Sequence, residues 1–253
     1  MICLSCCIIS AMAYSKNYFA LQLAFAQKVA KLGKLPLVST VLNYTSFYKT
    51  FRINDGDFDP NNDTWRKFTA LFTKTSNKLA TTYSFYRNRL VLVSPEKEKG
   101  SFGCFSYEYL FKEHAILIHF RNNDDSEPGA LSKSREPVRS GELKAMFQEI
   151  KLKYPQAKLV FGFSWLYNVQ AYTRLFPPEY LVHIKKNAEW FKSTALWGQF
   201  LDSAGEVKED SATEFLARMA KCKTLDELKQ SFPLKVLEPW ARIPYFYQFY
   251  KID

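Results

Sequence analysis

The sequence predicts a mixed α/β (α+β) fold, in which a mainly antiparallel sheet holds a central parallel crossover and a helical lobe precedes it. Three observations carry this. The stretch His114 to Phe176 runs strand, polar loop, amphipathic helix, strand and helix without a break (HAILIHFRN, then SGELKAMFQEIKLKYPQ, then AKLVFGFSWLYNVQAYTRLFPP). A helix joining two strands in this way implies a parallel pair with a right-handed connection. The residues before Asn54 repeat their apolar side chains at helical spacing, whereas those after Thr81 are rich in β-branched and aromatic types. Finally, 47% of the 253 residues are hydrophobic and 17% aromatic, which excludes a disordered chain and leaves enough material for a sizeable core.

Taken in order, residues 1–13 (MICLSCCIISAMA) are an apolar run too short to span a bilayer and without the charged start of an export signal. They read as a non-structural extension, with Met12 as an alternative start and acylation of Cys3, Cys6 or Cys7 as the second explanation. Ser15 is placed to cap a helix in which Phe19, Leu23, Ala26 and Ala30 share a face and which Gly33 closes. A second helix is expected over Pro36–Phe51, with Leu37, Val41, Tyr44 and Tyr48 on one stripe. NDGDFDPNND is a loop by composition, and it lacks the spacing and closing Glu of a calcium loop. A third helix over Thr64–Thr75 turns Trp65, Phe68 and Phe72 inward.

TTYSFY, RLVLVS, SFGCFSYEYLF and HAILIHF then read as strands, the last two paired as a hairpin across Lys112-Glu113. HAILIHF is apolar on both alternating sets, as a doubly covered strand is. A loop over Arg121–Ser140 leads to a helix with Leu143, Met146, Phe147, Ile150 and Tyr154 inward, ended by Pro155. LVFGF is a buried strand, and Asn168–Phe176 a short helix stopped by Pro177 and Pro178. YLVHIKK and TALWGQFLD read as two further strands. Capping boxes at Ser211-Ala-Thr-Glu214 and Thr224-Leu-Asp-Glu227 each introduce a helix, and IPYFYQFYKID is an aromatic tail that docks on the body or stacks on bases. No repeat or low-complexity linker divides the chain, so residues 14–253 are expected to form one domain: a helical lobe (14–76), a sheet core (81–202) and a helical and aromatic tail (211–253).

The net charge of +10 suits nucleic acid, anionic lipid or a phosphorylated cofactor, yet the basic residues are spread without a long block, which argues against nucleic acid and for a generally basic surface. Of five cysteines only Cys104 and Cys222 lie in the body, unlike a secreted disulfide framework, and a reducing, cytoplasmic setting follows. Three histidines without ligand spacing argue against a metal site. No nucleophile elbow, Walker loop, dinucleotide fingerprint or recognisable carboxylate pair is present. Ser164, Trp165, Tyr167 and Asn168 follow the LVFGF strand, at the carboxyl edge where open α/β sheets receive ligands, although Trp165 and Tyr167 serve equally as packing residues and Asn168 as a cap. His119, at the end of its strand, is either a core histidine or a group facing a cleft.

Helices, antiparallel strands, a helix, a strand, a helix and two closing strands is the order of the N-acetyltransferase superfamily known as GNAT, which the chain resembles over residues 101–176. The resemblance implies an Arg/Gln-x-x-Gly-x-Gly/Ala loop whose backbone amides hold a pyrophosphate. Its nearest match is Arg135-Glu-Pro-Val138-Arg139-Ser140, with Val138 in place of the first glycine and Ser140 in place of the second small residue. Asn168-Val-Gln-Ala171 matches the family's Asn-x-x-Ala, while Leu175 and Phe176 stand where its tyrosine general acid follows, leaving Tyr172 or Tyr167 as substitutes. The resemblance thus implies an N-acyltransferase that uses acetyl-CoA or another acyl-CoA on a small-molecule or peptide amine. Arg135, Arg139, Ser140 and Asn168 would bind the cofactor, and Arg121, Asn122, Ser164 and Trp165 the substrate. His119, or a water, would take the amine proton while backbone N–H groups of splayed strands stabilise the oxyanion. Two other readings stand beside it: a non-enzymatic α/β ligand- or protein-binding module, and a nucleic-acid-binding protein using its basic surface. SWLYNVQAYTRLFP and LWGQFLD also look like segments of bacterial proteins that carry no assigned function.

Overall fold

The computed structural model describes residues 13–53, 58–92, 101–124, 128–187 and 191–253; residues 1–12 of the extension, part of the NDGDFDPNND loop and the end of RLVLVS (93–94) lie outside them. In chain order the elements are α1 (Lys16–Gly33), α2 (Leu37–Tyr44), α3 (Phe47–Thr50), α4 (Asp63–Lys74), α5 (Lys78–Leu92), β1 (Phe105–Leu110), β2 (Ala115–Phe120), α6 (Glu136–Lys153), β3 (Leu159–Gly162), α7 (Gln170–Thr173), β4 (Ile184–Asn187), α8 (Thr194–Trp197), α9 (Glu209–Lys221), α10 (Leu225–Lys229), β5 (Val236–Arg242) and α11 (Ile243–Phe249). The chain groups into two compact units: residues 1–96 with 200–221, and residues 97–199 with 222–253. The stretch expected to be one tail is therefore shared, α9 going with the N-terminal helices and β5 and α11 with the sheet. No helix among the described residues is long and apolar enough to cross a membrane.

In the helical unit α1 runs through Gly33, which is its last helical residue, and it is Lys34 that takes the left-handed conformation, with its N–H on the carbonyl of Ala30; Ser15 stands at the N-cap but its side chain makes no capping hydrogen bond. The second predicted helix is divided. Thr45 is extended, α2 stops at Tyr44 and α3 restarts at Phe47. The break is stabilised by Gln22, fully buried on α1, whose Oε1 accepts from the Ser46 N–H at 2.7 Å and from Ser46 Oγ at 3.0 Å. Asn62 caps α4, accepting from Thr64 N at 2.9 Å, and Trp65, Phe68 and Phe72 face inward as expected.

The largest correction lies after Thr81. TTYSFYRNRLVL is not β but the body of α5, introduced by Asn77, whose side chain accepts from Ala80 N at 3.0 Å. Thr82 and Tyr86, four residues apart, are the buried pair. Phe85 meets Phe51 at 5.1 Å and Phe68 at 5.2 Å, and Tyr86 meets Phe19 at 4.8 Å. Aromatic and β-branched side chains favour strands only where a pleated surface is there to receive them; here the waiting surface is a helical cluster of rings.

The sheet unit bears out the fold class. Its strand order is β1-β2-β3-β5-β4. β1 and β2 form the expected antiparallel hairpin, turning through His114 in a left-handed conformation, and β2 pairs with β3 in parallel. TALWGQFLD is not a strand: Ser193 accepts from Ala195 N and starts α8, and a 3-10 turn follows. Its place is taken by β5, which lies antiparallel to both β3 and β4. Pro239 concealed this strand. It stands where pairing passes from β3 (residues 240–242) to β4 (residues 236–239), so the missing N–H interrupts neither ladder's interior. Within YLVHIKK only the last residues are strand, and Pro178–Leu181 is a 3-10 turn. Thr224 caps α10, its Oγ1 accepting from Glu227 N, while Glu227 Oε2 accepts from Lys223 N at 2.7 Å, one residue before the position a strict capping box would use. The Ser211 box does not, because α9 already begins at Glu209.

Gln22→Ala tests the divided helix: it strands the buried Ser46 N–H, and a loss of about 1–3 kcal/mol is expected in urea unfolding followed by helical circular dichroism. A variant as stable as the parent would show that this contact does not hold the α2–α3 break.

Candidate functional site

The predicted site lies at the end of the sheet where β2 and β3 part. Their parallel pairing stops at Ile118 with Gly162, while β2 continues to Phe120. Strand alternation sends Ile116, Ile118 and Phe120 to one face and Leu117 and His119 to the other. Phe120 meets Phe105, its cross-strand partner, at 5.3 Å and Tyr172 at 5.4 Å. His119 is on the opposite face, about half exposed, with Nε2 3.8 Å from Glu108 Oε2. The structure therefore does not bring His119 together with Tyr172. Nor is His119 a core histidine.

Beyond Gly162 the space is occupied by aromatic side chains. Ser164 accepts from Leu166 N and starts a 3-10 turn over Trp165–Asn168, and Gln170–Thr173 is the only part of the expected Asn168–Phe176 helix that is α-helical. Tyr167 and Tyr180 share a hydroxyl–hydroxyl hydrogen bond of 3.0 Å. Tyr172 packs edge-on against Phe176 at 5.0 Å and Tyr167 at 5.1 Å. All three tyrosines are buried, as is Tyr250, whose hydroxyl donates to Leu175 O at 2.6 Å. Gly162 is required here because a Cβ would run into the Tyr167 and Tyr180 hydroxyls. The two tyrosines proposed as acids are thus packing residues.

Burial holds the hydroxyls of Tyr167, Tyr172, Tyr180 and Tyr250 neutral, each raised well above the ordinary tyrosine range. The neighbouring phenols add to the shift by repulsion. A proton donor in that state at neutral pH is a poor general acid.

The predicted phosphate arginines are present but committed. The helix starts at Glu136, four residues before the expected Ser140, with Pro137 in its first turn, so Ser140 lies inside α6. Asp124 Oδ2 accepts from Arg135 Nε at 2.8 Å and from Arg139 Nη2 at 2.6 Å. Arg139, only 2% exposed, also pairs with Glu142 at 3.1 Å and touches the Cys104 thiol. Glu142 in turn accepts from Cys104 N at 3.1 Å, and Gly103 supplies the left-handed turn that leaves room for its carboxylate. Glu136 is paired with Arg174 at 2.9 Å. Two guanidinium and two carboxylate groups cancel around Asp124, so no positive excess remains for a pyrophosphate, and the residues present do not fit that group. Burial raises the Cys104 thiol despite Arg139 and so favours its protonated form.

Of the remaining predicted residues, Asn168 is exposed and donates to the carbonyls of Trp165 and Lys235, at 2.7 and 2.8 Å. Arg121 is exposed, with its N–H on Cys104 O at 2.9 Å, and Asn122 Oδ1 accepts from Asp124 N at 3.3 Å. Trp165 is half-buried. Sequence reasoning missed Asp124, Glu142 and Tyr180. The i,i+3 step from Arg139 to Glu142 was the readable signal for the second; the others come together only through the fold. Among the described residues no group of His, Cys, Asp and Glu could hold a metal ion. Comparison of the chain with protein-family models, with curated proteins and with solved structures finds no match.

Two outcomes are expected. The four raised tyrosines stay protonated in the folded protein above pH ~10, where the unfolded chain releases their protons, so stability is full below ~10 and falls as pH rises, by up to about 1.4 kcal/mol per pH unit for each. Of the absorbance of the fifteen tyrosines, a fraction equal to four residues should appear only together with unfolding; release of the full tyrosinate absorbance near pH ~10 in a folded protein would refute the burial. Asp124→Ala removes one carboxylate from buried Arg139 and should cost about 3 kcal/mol in urea unfolding, whereas a loss below about 0.5 kcal/mol would mean that the cluster does not hold α6.

Proposed function

We propose that the sheet unit is a non-enzymatic α/β binding module for a protein or small-molecule partner. The observation that carries this reading is the closed end of the sheet. Where an open α/β sheet receives its ligand, this unit places interlocked tyrosines and a self-neutralised pair of arginines. No proton-transfer group faces a reacting position there, since His119 is on the other face. Binding would then use the surface. Phe111, 74% exposed at the β1–β2 turn, rests edge-on against Tyr109 at 4.8 Å, and Tyr109 stacks on Tyr154 at 4.2 Å. A rigidly backed, exposed aromatic of this kind has the character of an interface anchor.

A second reading, an acyl-CoA-dependent N-acyltransferase acting on an amine, is favoured by one observation, the order of the sheet. An antiparallel hairpin, a crossover helix and a parallel strand follow one another as the GNAT resemblance implies, and two further antiparallel strands, β4 and β5, complete the sheet after an interruption by α8, α9 and α10. Fold order alone does not carry a reaction.

Thermal unfolding with acetyl-CoA separates the two readings. The binding module gives no shift at millimolar acetyl-CoA, and Arg135→Ala does not change that result. A ligand of micromolar affinity would instead add about 4 kcal/mol; such stabilisation, together with acetyl transfer to an amine, would replace the first reading by the second.

A further inference from the structure

The charges of the helical unit are sorted in a way that net charge conceals. From Tyr14 to Leu92 the chain has twelve Lys and Arg against four Asp and no Glu, and all four Asp lie between Asp55 and Asp63. Helices α1 to α5 therefore carry a single acidic residue, Asp63, in the first turn of α4. There it complements the helix dipole. The acids of α9, in the same unit, do not reach the groove described next.

That groove, of about 680 Å³, runs along the outer face of α4 and is lined by Val38 of α2 and by Asp63, Arg66, Lys67, Thr69, Ala70, Thr73 and Lys74. Residues 63, 66, 67, 70 and 74 recur at helical spacing, on the side away from buried Trp65, Phe68 and Phe72. Arg66 and Lys74 are thereby held ~12 Å apart along a rigid helix at ~1.5 Å per residue, with Lys67 between them. All three are exposed. None has a carboxylate partner among the described residues, in contrast to the arginines of the sheet unit, which are consumed by Asp124 and Glu142. The inner face of α4 is locked in the core, so the helix cannot turn Trp65, Phe68 and Phe72 toward a lipid surface and offers one only the isolated Leu71. The lining offers cations and hydroxyls set among small aliphatic groups (Val38, Ala70 and the side-chain stems of the basic residues), and no aromatic ring on which a base would stack.

We propose that this face of α4 is a docking surface for the phosphate backbone of a nucleic acid, recognised through its charge and not through its base sequence. Arg66, Lys67 and Lys74 contact successive phosphates, and Asp63 limits the affinity by repelling the strand. This rests on the helical unit alone and is independent of the binding partner proposed for the sheet unit.

The test is fluorescence anisotropy of the full chain with a labelled duplex of about 20 base pairs and mixed sequence, titrated over a range of salt, where three phosphate contacts contribute about −3 to the slope of log affinity on log salt. Each of Arg66→Ala, Lys67→Ala and Lys74→Ala should reduce the magnitude of that slope by about one with affinity falling alike for two unrelated sequences, and Asp63→Asn should tighten binding. All four positions are solvent-facing, and circular dichroism confirms that each variant is folded. No binding at low salt would overturn the proposal. So would a slope that the three substitutions leave unchanged, or binding to phosphatidylserine vesicles without binding to the duplex.

Discussion

The short parallel ladder between β2 and β3 is the constraint on which the sheet unit depends. It holds only from Ala115 with Leu159 to Ile118 with Gly162, and its last position must be a glycine because two tyrosyl hydroxyls meet above it. From that point β2 continues alone, and the chain after β3 turns to bridge β5 through Ser164 and Leu237. Strands that part in this way create a space. In this protein Tyr167, Tyr172, Phe176 and Phe120 fill it, so the parting serves packing.

A similar economy governs the charges. In the sheet unit the guanidinium groups nearest the start of α6 are each matched by a carboxylate within hydrogen-bonding distance. A buried, matched cluster fixes how the β2–α6 connection sits but projects little field, because its charges cancel over a few ångströms. In the helical unit the cations of α4 are exposed and set against one carboxylate, and their field extends into solvent. The same residue types thus have opposite consequences in the two units, and it is the position of the acids that decides which. A uniform basic surface, inferred from the spread of Lys and Arg along the chain, misses this sorting.

The aromatic content has a parallel division. In the helical unit the rings form a continuous cluster from Phe19 through Phe47 and Phe51 to Phe68 and Trp65, and they dictate that residues 78–92 coil around them. In the sheet unit Phe147 of α6 stacks on Phe246 and Tyr250 at 4.8 and 5.4 Å, which anchors the C-terminal aromatic segment to the body as α11 and its flank. Rings committed in this way are not available for stacking on bases, whereas Tyr245 and Phe249 of α11 remain exposed.

By itself the sequence determined the elements whose signals are local: α1 with its apolar face, α4 with its inward Trp65, Phe68 and Phe72, the β1–β2 hairpin, the crossover through α6, and the Thr224 cap of α10. Each rests on spacing or capping within one segment. Only the tertiary structure decided that TTYSFYRNRLVL is a helix, since its residues suit either period and the surface awaiting them settles the choice. It likewise decided that a segment containing Pro239 enters the middle of the sheet, because a proline is tolerated only where the ladders change partner. The candidate site divides on the same line. Its residues could be read from the chain, but whether they meet depends on strand parity, which puts His119 on one face and Tyr172 on the other, and on Asp124, whose role exists only once the fold has brought two arginines to it.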